Sequence, residues 1–179
     1  MKLIILDRDG VINQDSPNFI KSAKEWIPIE NSIQAIADLS KTHKIVIATN
    51  QSGLGRGLFQ ESDLIQMHQK MQQLVTLAGG QISGIFYCPH LPDDDCECRK
   101  PKAGLMLQIL QKYSIKPSEV KVVGDSLRDL QAAQSVKMHP ILVRTGKGLK
   151  TEQQIKQTSL ANTPIFDNLF SFTQQMLLL

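Results

Sequence analysis

Short apolar runs of strand length punctuate the chain, and each stops abruptly at a polar or special residue. Leu3-Ile4-Ile5-Leu6 ends at Asp7, Ile45-Val46-Ile47-Ala48 at Thr49, and Ile85-Phe86-Tyr87 at Cys88. Val120 to Gly124 ends at Asp125, and Ile141-Leu142-Val143 at Arg144. Continuous runs rich in Val and Ile predict strands buried on both faces, as parallel sheets require. Between them lie stripes of helical period: Ile33, Ile36, Ala37 and Leu39, then Leu64, Met67, Met71, Leu74, Val75 and Ala78. Two more follow, over Leu105 to Tyr113 and from Leu127 towards Val136. A short polar helix is expected over Thr151–Gln157 and a final amphipathic one over Asn168–Leu179. Strand and helix in alternation predict an α/β fold with a doubly wound, Rossmann-like parallel sheet. Ligands bind such sheets beyond the carboxyl ends of the strands, so the residues that end each run should gather at one edge.

Composition narrows the class of partner. The 179 residues carry 20 Lys and Arg against 17 Asp and Glu, a net charge of +3. That excess is too small and too scattered for a nucleic-acid surface, though it allows an anionic small molecule. The first apolar run is only four residues long, far short of a secretory core, and Met176-Leu177-Leu178-Leu179 is far short of a bilayer span. A soluble, cytoplasmic monomer of one domain, residues 1–179, is expected, with reduced thiols and no membrane partner.

Asp7-Arg8-Asp9-Gly10-Val11 follows the first run at once. Two carboxylates two residues apart at a strand end face one cleft, and Gly10 lets the chain turn away. They stay ionised together only with a cation between them, and Mg²⁺ held by Asp7, Asp9 and Asp125 suits an all-oxygen set. Taken alone, such a pair merely caps a turn. Its company is what changes the reading: Thr49, Lys100 before Pro101, and Asp125 with Asp129 in Gly-Asp-x-x-x-Asp. In this order the four segments resemble the haloacid dehalogenase-type phosphatases over about residues 3–145.

The resemblance implies that Asp7 attacks phosphorus to form an aspartyl phosphate. Asp9 would protonate the leaving alkoxide and then deprotonate the hydrolytic water. Phosphoryl transfer also needs positive charge and donors around the equatorial oxygens. Lys100 and Mg²⁺ would supply the charge, and the hydroxyl and amides around Thr49 and Asn50 the hydrogen bonds. Asp129 is read as supporting the metal or its lysine rather than binding metal, and Lys102 as a solvated side chain at a helix start. No interval between the motifs is long enough for a separate cap domain.

All three cysteines fall between positions 88 and 98, as Cys88-Pro-His90 and Cys96-Glu-Cys98. Residues i and i+2 of extended chain share a face, so each pair offers two ligands to one ion. Three thiolates and an imidazole make a closed, structural Zn²⁺ site, against the alternative of three free buried thiols. The loop runs straight into Arg99 and Lys100, so a zinc clamp would fix both cations.

These motifs, with Thr-Asn-Gln-Ser-Gly at 49–53, resemble the D-glycero-D-manno-heptose 1,7-bisphosphate phosphatase group, with histidinol-phosphate phosphatases as relatives. The group implies removal of the 7-phosphate of a sugar bisphosphate, in making nucleotide-activated heptose for lipopolysaccharide core. It also implies substrate contacts from Asp15, Ser16, Pro17 and Asn18, from Thr49, Asn50, Gln51 and Ser52, and from Arg99 and Lys100. Two departures stand out, Ser126 where a basic residue is found in some members and Ala103 for a common proline.

Rival readings are weaker. Gly53-x-Gly55-x-Gly57 follows the second run and reads as a flexible loop, and Gly146-Lys147-Gly148 lacks the Ser or Thr of a nucleotide-binding Walker loop. A receiver-type phosphoacceptor domain would carry its aspartate on the third strand, and a zinc interaction module would show no Mg²⁺-dependent activity. His43, His68 and His139 are read as surface or turn residues.

Overall fold

A computed structural model describes residues 2–178 of the chain. Six parallel strands form one sheet in the order β3-β2-β1-β4-β5-β6: β1 Leu3–Leu6, β2 Lys44–Asn50, β3 Gly84–Cys88, β4 Val120–Gly124, β5 His139–Val143 and β6 Ile165–Phe166. Helices fill the intervals as α1 Ser32–Leu39, α2 Ser52–Gly55, α3 Glu61–Leu77, α4 Gly104–Tyr113, α5 Leu127–Ser135, α6 Gly148–Ile155 and α7 Leu169–Leu177. Leu179, where the last helix was expected to end, lies outside the described residues. No second sheet is inserted between the strands among the described residues.

Alternation along the central strands divides the apolar residues between two cores. Ile4 and Leu6 of β1, with Ile45 and Ile47 of β2, pack with Ile36 of α1, Leu64 and Met67 of α3 and Phe172 of α7. Leu3 and Ile5, with Val46 and Ala48, pack instead with Leu105, Met106 and Ile109 of α4 and Ala132 and Ala133 of α5. Successive strand side chains point to opposite faces, so a run that is apolar throughout needs helices on both. Strand β1 is fully buried, whereas β3 at the sheet edge is half-buried until Cys88.

The register decides what meets at the carboxyl edge. Leu6 pairs with Ile47 on one side and Val123 on the other, and the Asp7 N–H donates to the Val123 carbonyl at 3.0 Å. Asp7, Thr49 and Asp125 therefore arrive together at the ends of the three central strands. Strand order reverses between β1 and β4, the place where such sheets open a crevice.

Candidate active site

The crevice is a cavity of about 810 Å³ lined by Asp7, Asp9, Thr49, Lys100, Asp125 and Asp129 together with loop residues. Gly10, at φ +87°, carries the chain out of β1, and a Cβ there would collide with the Asp125 carboxylate. Only glycine permits that close approach.

Lys100 is 2% exposed. Its Nζ donates to Asp7 Oδ1 at 2.9 Å, to the Ala48 carbonyl at 2.7 Å and pairs with Asp129 Oδ1 at 2.7 Å. Burial works against its charge, but Asp129 and Asp7 outweigh burial and hold its pKa above the ordinary lysine range. Asp129 accepts from both the N–H and Oγ of Ser126 as well, and Lys100 and these bonds hold its carboxyl below the usual range against the effect of burial. The two other carboxyls differ. Asp7 is pushed up to about 6 by burial and Asp129, and Asp125 to about 8 by burial, Asp129 and Asp7.

Oxygens of Asp7, Asp125 and Asp129 lie within 4.8 Å of one another. Raised carboxyls mark negative charge that the chain's own cations leave uncompensated, and an all-oxygen donor set fits a hard divalent cation. Both Asp129 oxygens are already engaged, which leaves Asp7 and Asp125 as the carboxylates able to hold such an ion. Asp9 does not join them with its carboxylate, contrary to the sequence expectation. Its oxygens accept instead from Arg8 at 2.9 Å, Asn13 at 2.8 Å and Gln51 at 2.9 Å, so Arg8 already supplies its counter-charge.

Asn50 and Lys100 exchange two bonds, Asn50 Nδ2 to the Lys100 carbonyl at 3.0 Å and Lys100 N–H to Asn50 Oδ1 at 3.1 Å. Asn50 thus holds the lysine loop in place. Gln51 Nε2 donates to Thr49 Oγ1 and to Asp9 Oδ2, both at 2.9 Å, tying the hydroxyl to the second carboxylate. Ser52, Ser16, Pro17 and Arg99 line the cavity, and Asp15 does so while paired with Lys147 at 2.9 Å. Asn18 does not line it. Its N–H donates to Ser16 Oγ and its carbonyl accepts from Lys21, which folds it into an exposed local turn outside the cavity.

Arg56, Arg128 and Lys147 line the cavity, although the sequence reading assigned none of them a substrate contact. Burial lowers the pKa of Arg99, and the positive charges of Arg128 and Arg56 lower it further. No carboxylate lies within ion-pair distance of these three arginines among the described residues. Arg128, two residues beyond Ser126, brings a cation to the same cavity wall.

Cys88, His90, Cys96 and Cys98 converge as the spacing predicted. Cys88 Sγ lies 3.6 Å from Cys96 Sγ and 3.5 Å from His90 Nδ1; Cys98 Sγ lies 3.2 Å from His90 Nδ1 and 3.6 Å from Cys96 Sγ. Tetrahedral zinc with bonds of about 2.0–2.3 Å sets its ligand atoms roughly 3.5–3.7 Å apart. The donor set and spacing fit that ion.

Comparison with known proteins agrees with this geometry. A HAD-hydrolase-like family model matches residues 97–171. The D-glycero-beta-D-manno-heptose-1,7-bisphosphate 7-phosphatase of Neisseria meningitidis serogroup A is 51% identical over 99% of this chain and 95% of its own length. The enzyme of the same name from Pseudomonas putida is 47% identical over 99% of this chain and all of its own. The chain belongs to this family of haloacid dehalogenase-like phosphatases. The D,D-heptose 1,7-bisphosphate phosphatase of Bordetella bronchiseptica, solved with magnesium and phosphate, superposes with a TM-score of 0.95 at 48% identity, covering 99% of both chains. Among the described residues no helix is long and apolar enough to cross a membrane.

The Lys100–Asp129 pair yields a direct prediction. Asp129→Ala leaves a buried ammonium short of one partner and two Ser126 donors without an acceptor. Breaking a buried pair costs about 3–5 kcal/mol, so the melting temperature should fall by on the order of 10 °C. Scanning calorimetry reading a shift under about 2 °C would show that Asp7 and Ala48 suffice to hold the lysine.

Proposed function

We propose that the chain removes the 7-phosphate of D-glycero-D-manno-heptose 1,7-bisphosphate, leaving heptose 1-phosphate for nucleotide activation in lipopolysaccharide core synthesis. One observation carries the reading. Asp7 and Lys100 sit deep in a cavity whose more exposed wall presents Arg56, Arg99, Arg128 and Lys147, so one pocket offers seats for two phosphates. Histidinol phosphate, the related alternative, brings one phosphate and an ammonium group, which that cationic wall would repel.

Asp7 Oδ2 attacks phosphorus in line, the bond to the sugar oxygen breaks, and Asp9 gives that oxygen a proton it must first take up, since burial works against its charge but Arg8, Asn13 and Gln51 outweigh burial and hold its carboxyl below the usual range. Water then attacks phosphorus, Asp9 takes its proton, and the bond to Asp7 breaks to return the carboxylate and free phosphate. Lys100 neutralises the equatorial oxygens from beside Asp7, and the Thr49 hydroxyl donates to them. Magnesium held by Asp7 and Asp125 supplies further positive charge there when bound. Zinc on Cys88, His90, Cys96 and Cys98 is structural, because four protein ligands leave no open position. Residues 1–179 act as one phosphatase domain with its zinc loop at 88–98, working as a cytoplasmic monomer.

The test is phosphate release with Mg²⁺ from both anomers of heptose bisphosphate, fructose bisphosphate and histidinol phosphate. A heptose bisphosphate should give the highest kcat/KM by at least about tenfold, the scale of one well-made charged contact. A preference for histidinol phosphate would replace the substrate assignment.

A further inference from the structure

Arg8 is wholly buried and paired: Nε and Nη2 grip Asp9, and Nη1 reaches His68 Nε2 at 3.5 Å. His68 is 8% exposed, not a surface residue as its sequence setting suggested. Arg56 is the opposite case. It follows α2 at the cavity wall, exposed, and among the described residues its guanidinium has no carboxylate or other hydrogen-bond acceptor. What it has is a ring. Its Cζ lies 5.7 Å from the centroid of Phe19, inside the range of about 6 Å over which an aromatic face holds a cation.

Phe19 has an uncommon backbone. Its φ is +65°, and of the five non-glycine residues at positive φ among the described residues it alone is aromatic and it alone lines the cavity. A bulky side chain in that region is strained, and such strain persists only where the surroundings impose it. Here the Phe19 N–H donates to the Ser16 carbonyl at 3.2 Å, closing a turn, while Ile20 next in the chain belongs to the same core as Val11 and Ile12. The ring is left against α2. A Cβ on Gly53 would sit 3.3 Å from Phe19 Cδ1, so the glycine brings the helix backbone down onto the ring. Arg56, three residues on, shares that face of the turn.

We propose that Phe19 is the positioning residue that holds Arg56 at the cavity wall for the phosphate that is not cleaved, and so favours a sugar carrying two phosphates over one carrying a single phosphate. The inference rests on the heptose bisphosphate reading and deepens it. An exposed arginine without a partner samples many rotamers and gives them up when it binds an anion. Stacking on a fixed ring removes part of that freedom in advance. It also leaves the N–H donors, which lie in the guanidinium plane, open to phosphate oxygens. Phe19 offers no polar group to the reacting phosphorus, so its effect falls on affinity rather than on the chemical step.

The test compares heptose 1,7-bisphosphate with the 7-monophosphate of the same sugar, which presents the same bond for cleavage and no second phosphate. Arg56→Gln sets the scale and should raise KM for the bisphosphate by at least about tenfold, as loss of a charged contact does. Phe19→Leu should raise that KM about fivefold, with KM for the monophosphate and kcat on both substrates changed by less than about twofold. Phe19→Gly accepts the left-handed backbone without strain and should show the same selectivity, which protects the test should Phe19→Leu not fold. Phe19→Tyr keeps the ring and should stay within about twofold of the parent. The double variant Phe19→Leu with Arg56→Gln should match Arg56→Gln alone to within about twofold, because Phe19 acts through that cation. Equal rises in KM on the two substrates, no rise on either, or fully additive losses in the double variant would overturn the positioning role and leave the substrate assignment standing. If the unaltered protein gained nothing in kcat/KM from the second phosphate, the heptose bisphosphate reading would fall and take this role with it, so the two failures are distinguishable.

Discussion

Asp7→Asn should abolish phosphate release, lowering kcat by more than about 10⁴-fold, as loss of a covalent nucleophile does elsewhere. The amide keeps the shape of the carboxyl but offers no anionic oxygen to phosphorus. The fold should survive, because Lys100 retains Asp129 at 2.7 Å and the Ala48 carbonyl. A second consequence is electrostatic. Asp125 is held at about 8 by burial first, then by Asp129 and Asp7, and removing the last of these charges lowers it. Two measurements settle the assignment together. Rapid quenching of the unaltered protein should trap an acyl phosphate that hydroxylamine cleaves, and the variant should trap none. A variant that turned over heptose bisphosphate at the ordinary rate would move the nucleophile away from Asp7.

Strand ends were the most legible part of the chain. Leu3–Leu6 and Val120–Gly124 coincide with β1 and β4, because an apolar run closed by Asp has one stable place, a buried strand opening on a crevice. The cysteine cluster was equally legible, since two i, i+2 pairs need only a turn between them to converge. Other parts are tertiary in origin. Helix α2 contains two glycines and is a poor helix by propensity. It forms where Gln51 N–H donates to the Cys88 carbonyl at 2.7 Å and Gly55 N–H to the Pro89 carbonyl at 3.1 Å, partners far away in sequence. A Cβ on Gly55 would sit 2.5 Å from that Pro89 oxygen, so what read as flexibility is close approach. Strand β6 has two residues, too few for any periodicity. Lys147 and Arg128 look like ordinary charges on loop and helix until β4 and β5 bring them to one edge. Arg8 could not be recognised as buried because its burial depends on α3, some 60 residues away.

Removing zinc should raise KM more than it lowers kcat, because the clamp and the catalytic lysine are anchored differently. Lys100 is fixed by Asp7, Asp129 and Ala48, and its backbone by Asn50, none of which belongs to the zinc loop. Arg99 has no such independent support. It follows Cys98 directly, and among the described residues its guanidinium donates only to the His90 carbonyl, at 3.3 Å. The loop also carries the Cys88 and Pro89 carbonyls that seat α2, and with it Ser52 and Arg56 at the pocket wall. Freeing it makes these groups lose order on each binding event, a cost that falls on substrate affinity. An increase in KM of about tenfold is expected, equivalent to ordering one or two long side chains. The melting temperature should drop by several degrees at least, since metal that binds only the folded state stabilises it. Full unfolding is not expected, because the two cores flanking the sheet draw few residues from the loop. Chelation verified by metal analysis, with calorimetry and steady-state kinetics on one sample, measures both effects. An unchanged melting temperature would refute a structural zinc, and a loss in kcat with KM unaltered would place the metal's influence on Lys100 rather than on the wall that holds substrate.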